Sequence, residues 1–199
     1  MSSEEPQWTH VTTPFGRIRA RVTHVRARHR ILRLDDGRYA KMVRHSTDPS
    51  THVWTTRNRA VWRHLSRLPH PGLLRVFERV TDDDGDEGFL CEGLRVPQLG
   101  AGVHPAARTL GGFLHAARWL AASAGHVHRN GYVHGDITPG NVCFRADGAP
   151  VLIDFDTSVK IGRPLRYPGE SGEQFMVLTP SCCSPEHVSA EPVFPSSDV

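Results

Sequence analysis

Hydrophobic and polar residues alternate along residues 16–43, as they do in β-strands that bury one face. Ile18, Ala20 and Val22 are separated by arginines, so a strand places the apolar side chains on one face and the arginines on the other. The segment Asp35–Gly37 has the composition of a tight turn that leads into a further strand. The pattern therefore predicts a small antiparallel sheet.

A second, longer period predicts helices. Val61, Leu65 and Leu68 recur at helical spacing, which indicates a helix over about residues 55–68. The strongest helical pattern runs from about Arg108 to Arg129. Its apolar stripe consists of Leu110, Phe113, Leu114, Ala117 and Leu120. Short apolar segments predict further strands at residues 73–80, 88–94, 142–144 and 151–153.

Composition places the chain among ordinary globular proteins. Its 199 residues contain 38% hydrophobic and 23% charged residues, and the net charge is only +3. The alternating arginines of the first strand, continued at Arg26, Arg28 and Arg30, could contact nucleic acid, but a solvated strand face is the commoner explanation. We therefore expect no nucleic-acid partner. The acidic run at residues 82–87 is interpreted as a solvated turn.

The sequence also bears on cellular location. No apolar stretch approaches the roughly 20 residues of a bilayer crossing, so we expect no membrane span. The N-terminal residues 1–6 are acidic and lack the features of a secretory signal, which favours the cytoplasm. The four cysteines contain no Cys-x-x-Cys pair, so reduced thiols are expected.

The residues with the clearest chemistry lie between Gly131 and Asp156. Asp136, Asn141 and Asp154 follow one another in this window, and Asp154 comes directly after an apolar strand. Phosphoryl transfer from ATP needs a carboxylate that orients the acceptor hydroxyl and oxygen ligands that hold Mg²⁺ against the phosphates. These side chains supply that chemistry in that order.

With His134 ahead of Asp136, this window resembles the catalytic loop and magnesium motif of the protein kinase superfamily, in particular bacterial-type Ser/Thr protein kinases. The resemblance implies Asp136 as catalytic residue, Asn141 and Asp154 as metal ligands, and ATP and Mg²⁺ as cofactors. It also implies a two-lobed α+β fold. The implied parts are an N-terminal tail (1–10), an N-lobe with a small antiparallel sheet (11–95) and a mainly helical C-lobe (96–199).

The same resemblance implies a nucleotide site. Lys41 takes the place of the strand lysine that contacts the α- and β-phosphates. The hinge would follow Cys91, with backbone groups from Glu92 to Leu94 meeting adenine, and Cys143 would also line the site.

A third motif separates two branches of the superfamily. Residues 179–186 resemble the end of a Ser/Thr protein kinase activation segment, with Ser-Pro-Glu closing it, which favours a protein hydroxyl as the acceptor. Gly135 and Asp156 instead favour the alternative of a small-molecule kinase.

Several departures favour another alternative, a pseudokinase or inactive fragment that acts as a binding module. Only Gly16 represents the glycine-rich loop, and Val61 stands where the family has a glutamate that pairs with the strand lysine. Tyr39 falls where the family keeps a small alanine against adenine. If Ala40 is that alanine, the lysine position becomes Met42.

Residues 196–199 resemble the start of the helix that centres a kinase C-lobe, so the sequence looks like a truncated kinase. The apolar stripe at Leu110, Phe113, Leu114 and Leu120 is therefore expected to be partly uncovered. Self-association or a partner on that surface would follow, because uncovered apolar area forfeits about 25 cal/mol per Å².

Overall fold

The computed structural model describes the ranges 7–26, 29–44, 60–64, 67–94, 108–168, 174–175 and 179–198. The chain divides into two compact units, residues 1–55 with 75–93 and residues 56–74 with 94–199. This division differs from the predicted one chiefly in the segment 56–74, which belongs to the second unit. The predicted linker between the lobes, residues 96–105, lies outside the described residues.

The first unit is a closed antiparallel β-barrel. Its strands are β1 (Trp8–Thr13), β2 (Gly16–Val25), β3 (His29–Leu34), β4 (Tyr39–Val43), β5 (Val76–Asp82) and β6 (Glu87–Cys91). Their order is β1-β2-β3-β4-β6-β5, and pairing of β1 with β5 closes the barrel. Strand β1 begins inside the segment predicted to be a tail. Because β1 pairs with both β2 and β5, the predicted small sheet is a closed barrel without free edges.

The barrel core follows the alternation of the sequence. Ala20 of β2 is fully buried, and its neighbours Ile18 and Val22 pack against the same core. The buried core side chains are Val11, Ala20, Leu32, Leu34, Ala40, Met42, Val80 and Leu90. The arginines between the apolar residues of β2 face away from this core, as the pattern predicted.

One predicted surface arginine lies in the interior instead. Arg30 is 8% exposed, and its guanidinium contacts carboxylates of Asp82 at 2.7 Å, Asp84 at 2.5 Å and Asp86 at 2.8 Å. The alternation restarts in β3, where Arg30, Leu32 and Leu34 share the core face, so extending the β2 pattern to Arg30 was wrong. The acidic run is likewise partly buried rather than a solvated turn.

The second unit contains a helical segment at residues 60–64, the long helix α1 (Leu110–Arg129) and the short helix α2 (Pro185–Val188). Three two-stranded sheets pair β7 (Tyr132–Val133) with β10 (Val159–Lys160), β8 (Val142–Phe144) with β9 (Pro150–Leu152), and β11 (Tyr167–Pro168) with β12 (Gln174–Phe175). Its 3₁₀-helices are Pro139–Asn141, Phe155–Thr157, Pro180–Cys182 and Pro195–Asp198. Among the described residues of this unit, α1 is the longest helix.

Helix α1 starts where the sequence predicts, at Thr109, whose side chain accepts a hydrogen bond from the backbone N–H of Gly112. Only its C-terminal half packs inward, through residues that include Ala124 and Val127. The apolar stripe of its first half is exposed, with Leu110 at 75%, Phe113 at 58% and Leu114 at 56%. Partial exposure of this stripe is therefore confirmed. None of the helices in the described ranges has the length and apolarity that a bilayer crossing requires.

The Arg30 cluster gives a stability prediction for the barrel. Replacing Arg30 by Met leaves the buried carboxylates of Asp82 and Asp86 without their cation, which is expected to lower the free energy of unfolding by about 3–5 kcal/mol. Urea denaturation measures this change. The matched control is Arg33→Met, an exposed position on the same strand, which should stay within about 0.5 kcal/mol of wild type. Equal losses in the two variants would show that the buried ion cluster contributes nothing specific.

Candidate active site

His134 is the centre of the loop that follows β7. Its side chain is fully buried, its Nδ1 accepts the backbone N–H of Asp136 at 3.2 Å, and its Nε2 contacts the carbonyl oxygen of Ile153 at 3.0 Å. A carbonyl can only accept, so the ring is the neutral tautomer with its proton on Nε2. Burial, which disfavours the charged ring, lowers the pKa of His134 and keeps it neutral. The imidazole thus joins the loop to the end of β9.

Asp136 is held by donors on both carboxylate oxygens. Its Oδ2 accepts a hydrogen bond from the amide nitrogen of Asn141 at 2.7 Å, and its Oδ1 accepts one from the hydroxyl of Thr179 at 2.8 Å. The same amide nitrogen also donates to the backbone oxygen of Asp136 at 2.9 Å. The carboxylate is therefore oriented by two separate segments of chain, and one of its oxygens already binds an aliphatic hydroxyl.

Asn141 and Asp154 are brought together by the backbone between them. The N–H of Ile153, the residue before Asp154, donates to the carbonyl oxygen of Asn141 at 2.9 Å. Asp154 has a left-handed backbone, with φ 61° and ψ 73°, a conformation that costs a non-glycine residue free energy and is concentrated at functional sites. Both bonds of Asn141 to Asp136 use its amide nitrogen, which leaves the amide oxygen for another partner.

The donor chemistry of this pair suits magnesium. Carboxylate and amide oxygens are ligands that Mg²⁺ accepts, and Mg²⁺ in nucleotide sites takes few protein ligands because phosphates and water supply the rest. Within the described ranges, no group of three or more His, Cys, Asp or Glu side chains forms a metal site. Asn141 and Asp154 therefore have side chains that could hold Mg²⁺ bound together with a nucleotide.

Phe155 anchors the magnesium motif in the interior of this unit. Its ring is 1% exposed and meets the ring of His134 edge-on at a centroid distance of 4.6 Å. Trp62, in the helical segment 60–64, meets it from another side at 6.1 Å. Beyond Phe155, the hydroxyls of Thr157 and Ser158 donate to the carbonyl oxygen of His134 at 3.0 and 3.1 Å. These contacts fix the position of the loop at His134 relative to residues 155–158.

The backbone explains why glycine occupies position 135. Gly135 has φ +82°, and a Cβ added there would lie 3.0 Å from the carbonyl oxygen of Thr157. A side chain would meet both an unfavourable dihedral angle and a crowded backbone.

Asp198 is the site residue that the sequence analysis missed. Its carboxylate is 1% exposed and accepts the backbone N–H groups of His134 and Gly135, both at 2.8 Å. The Nε2 atom of His128 in α1 contacts it at 2.8 Å. Burial alone would raise the pKa of Asp198, but the hydrogen bonds from His128 and from the backbone N–H groups of Gly135 and His134 outweigh it and lower the pKa. The only sequence signal was the kinase resemblance of residues 196–199.

The predicted nucleotide-binding residues are divided between the units. Lys41, Cys91 and Glu92 belong to the barrel unit, whereas Leu94 and Cys143 belong to the second unit. The backbone N–H and the side chain of Glu92 are both hydrogen-bonded to the backbone of a β5-flanking residue, Arg75. Burial raises the pKa of the Cys91 thiol to about 12 and also raises that of Cys143. All four cysteines of the chain are free thiols.

The strand pairing in the barrel decides whether Lys41 or Met42 takes the position of the strand lysine. Ala40 and Met42 are fully buried in the barrel core. Tyr39 and Lys41 lie on the opposite face, where Tyr39 is the cross-strand partner of Cys91. A side chain sealed in the core cannot reach a nucleotide, so Met42 is not a candidate for the lysine position. Lys41, with Tyr39 two residues before it, stays the candidate.

Comparisons with known proteins agree with this chemistry. The profile of the phosphotransferase enzyme family APH matches residues 63–161. The chain is 33% identical over 141 residues to the DNA damage-responsive serine/threonine-protein kinase RqkA of Deinococcus radiodurans, a match that covers 69% of this chain and 20% of that protein. It is 29% identical over 133 residues to the protein kinase PINOID of Oryza sativa subsp. japonica, covering 63% of this chain and 27% of that protein. The chain thus spans about a quarter or less of the length of these relatives.

Asp198 gives a pH-dependent stability prediction. Because its pKa is lowered in the folded chain, its contribution is present above its unfolded pKa of about 3.9 and is lost as the pH falls through the lower folded value. Asp198→Asn is expected to cost about 2–3 kcal/mol at neutral pH, since a neutral amide cannot replace a carboxylate with three donors.

Chemical denaturation from pH 6 to pH 2 tests this expectation. The stability difference between wild type and Asp198→Asn should shrink toward acid pH, whereas Asp147→Asn, at an exposed carboxylate in the β8–β9 turn, should follow the wild-type curve. Parallel curves for wild type and Asp198→Asn would contradict the assigned role.

Proposed function

We propose that this chain, which belongs to the protein kinase superfamily, uses Mg-ATP to phosphorylate serine or threonine hydroxyls of proteins. At the coarser level of its family it is a kinase-like phosphotransferase. The observation that carries the proposal is the hydrogen bond between the hydroxyl of Thr179 and Oδ1 of Asp136. The site carboxylate thereby already binds the functional group that a Ser/Thr acceptor would present.

Each site residue has a role in this reaction. Asp136 would orient the acceptor hydroxyl, since a carboxylate oxygen retains acceptor capacity after one hydrogen bond. The acceptor oxygen forms its bond to the γ-phosphorus while the bond from that phosphorus to the bridging oxygen of ADP breaks, and the hydroxyl proton passes to Asp136. Lys41 would neutralise phosphate charge. Asn141 and Asp154 would hold Mg²⁺, which screens the negative charge of the phosphates when it is bound.

A protein acceptor is supported by the segment that carries Thr179. This residue is followed by the 3₁₀-helix Pro180–Cys182 and by α2, and Ser184 caps α2 in a reciprocal arrangement with His187. The segment is therefore folded against Asp136, where an extended substrate would approach. A cytoplasmic location, with reduced thiols such as the exposed Cys182, is part of the same proposal.

Two sets of observations favour alternatives to a protein kinase. The match to the phosphotransferase enzyme family APH, together with Gly135 and Asp156, favours a small-molecule hydroxyl as acceptor. Tyr39 on the Lys41 face and the buried Val61 favour a binding module without turnover. The acceptor and the turnover are therefore tested separately from nucleotide binding.

Nucleotide binding is tested first. Mg-ATP is expected to raise the melting temperature of wild type and of Asp147→Ala, an exposed carboxylate control, but not of Asp154→Ala, because the last variant lacks a magnesium ligand. Addition of EDTA should abolish the shift in all variants. Equal shifts in wild type and Asp154→Ala, or none in either, would contradict the nucleotide site.

Turnover is tested with the Asp136→Asn variant. It should keep the Mg-ATP shift but lose phosphotransfer by about 10²- to 10⁴-fold, because an amide cannot take the hydroxyl proton. Transfer of radiolabelled γ-phosphate is measured to a serine-rich protein acceptor and, in parallel, to hydroxyl-bearing small molecules. Labelling only of small molecules would favour the small-molecule alternative, and nucleotide binding without any labelling would favour the binding module.

A further inference from the structure

A basic face lies on the outside of the barrel. We define it by Trp8 on β1, Arg19 and Arg21 on β2, and Arg33 on β3. Trp8 is the cross-strand partner of Arg21, which in turn is the partner of Arg33, so these residues form one row across three strands. The guanidinium of Arg19 lies 3.8 Å from the centre of the Trp8 ring. All four side chains are exposed, Trp8 by 44%.

Several other arginines of the barrel have carboxylate partners. Arg17 pairs with Asp83, Arg38 with Asp36, and Arg79 with Glu87. Among the described residues, no carboxylate lies within ion-pair distance of Arg19, Arg21 or Arg33. A cluster of unneutralised guanidinium groups repels itself and is complementary to a polyanion.

The shape and composition of the face indicate which class of polyanion it binds. The barrel is closed, so a peptide cannot bind by adding a strand to a free edge. Neighbouring strands lie about 4.8 Å apart, which places the row of guanidinium groups and the indole within reach of successive phosphates and bases of one strand. Positive charge combined with an aromatic ring is typical of proteins that bind single-stranded nucleic acid.

We propose that the basic face binds single-stranded nucleic acid without sequence preference. The sequence pattern alone favoured a solvated strand face, as the commoner explanation of alternating arginines. The pairing of β1 with β2 places Trp8 beside Arg21. The face therefore combines arginines with an aromatic ring, which favours nucleic acid over a merely solvated strand face. Binding at this face does not depend on the proposed phosphotransfer.

The experiment measures fluorescence anisotropy of a labelled 12-nucleotide oligothymidylate with the full chain. Three phosphate contacts predict a slope of log K against log salt of about −2, which corresponds to about a twentyfold loss of affinity between 50 and 200 mM salt. Arg21→Ser and Arg33→Ser should each reduce the magnitude of the slope by about 0.7. Trp8→Ala should weaken binding about tenfold through lost stacking.

The control is Arg163→Ser, which removes one exposed arginine from the second unit and should bind as wild type does. Asp154→Ala should also bind normally, so a failure of the proposed enzymatic function leaves this test intact. The arginine variants decide the outcome if Trp8→Ala does not fold, which its melting curve reveals.

Three results would overturn the proposal. The first is the absence of binding at 50 mM salt, and the second is an equal loss in Arg21→Ser and Arg163→Ser. The third is equal binding of a polyglutamate peptide of matched charge with no effect of Trp8→Ala, which would assign the face to acidic protein segments instead. Tighter binding of oligothymidylate than of polyglutamate, lost in the face variants, supports the proposal.

Discussion

The buried carboxylate of Asp198 is the interaction on which the arrangement of the site depends. A charge removed from water must be met by donors, and here the donors are two consecutive backbone N–H groups of the loop after β7 and the His128 ring. Satisfying Asp198 thus sets the backbone at His134 and Gly135. Neutral His134 then binds the end of β9, and its neighbour Asp136 is placed between Asn141 and Thr179.

The barrel also contains a buried ion that needs partners, but there the ion is a cation and its partners are carboxylates. Arg30 is a buried cation, and Asp82, Asp84 and Asp86 meet its charge. In each unit, therefore, a buried charge has partners that come from distant parts of the chain. Removal of such a charge leaves its partners unsatisfied in the interior, which is why both sites are expected to be sensitive to single substitutions.

The sequence by itself determined the features that depend on near neighbours along the chain. Strand alternation placed Ala20 in the core, a helical period predicted α1, and the order of Asp136, Asn141 and Asp154 indicated phosphoryl transfer. Periodicity and short motifs carry this information because the backbone geometry of a strand, a helix or a turn relates residues only a few positions apart.

Only the tertiary structure decided the features that depend on register and on distant partners. Alternation restarts after each turn, so sequence could not show that Arg30 faces the core or that Trp8 joins the row of Arg21 and Arg33. The barrel register likewise sealed Met42 in the core and left Lys41 outside it. Asp198 meets the loop at His134 across 64 positions, a separation that no local pattern records. Such contacts exist only once the chain has folded and buried charges have found their partners.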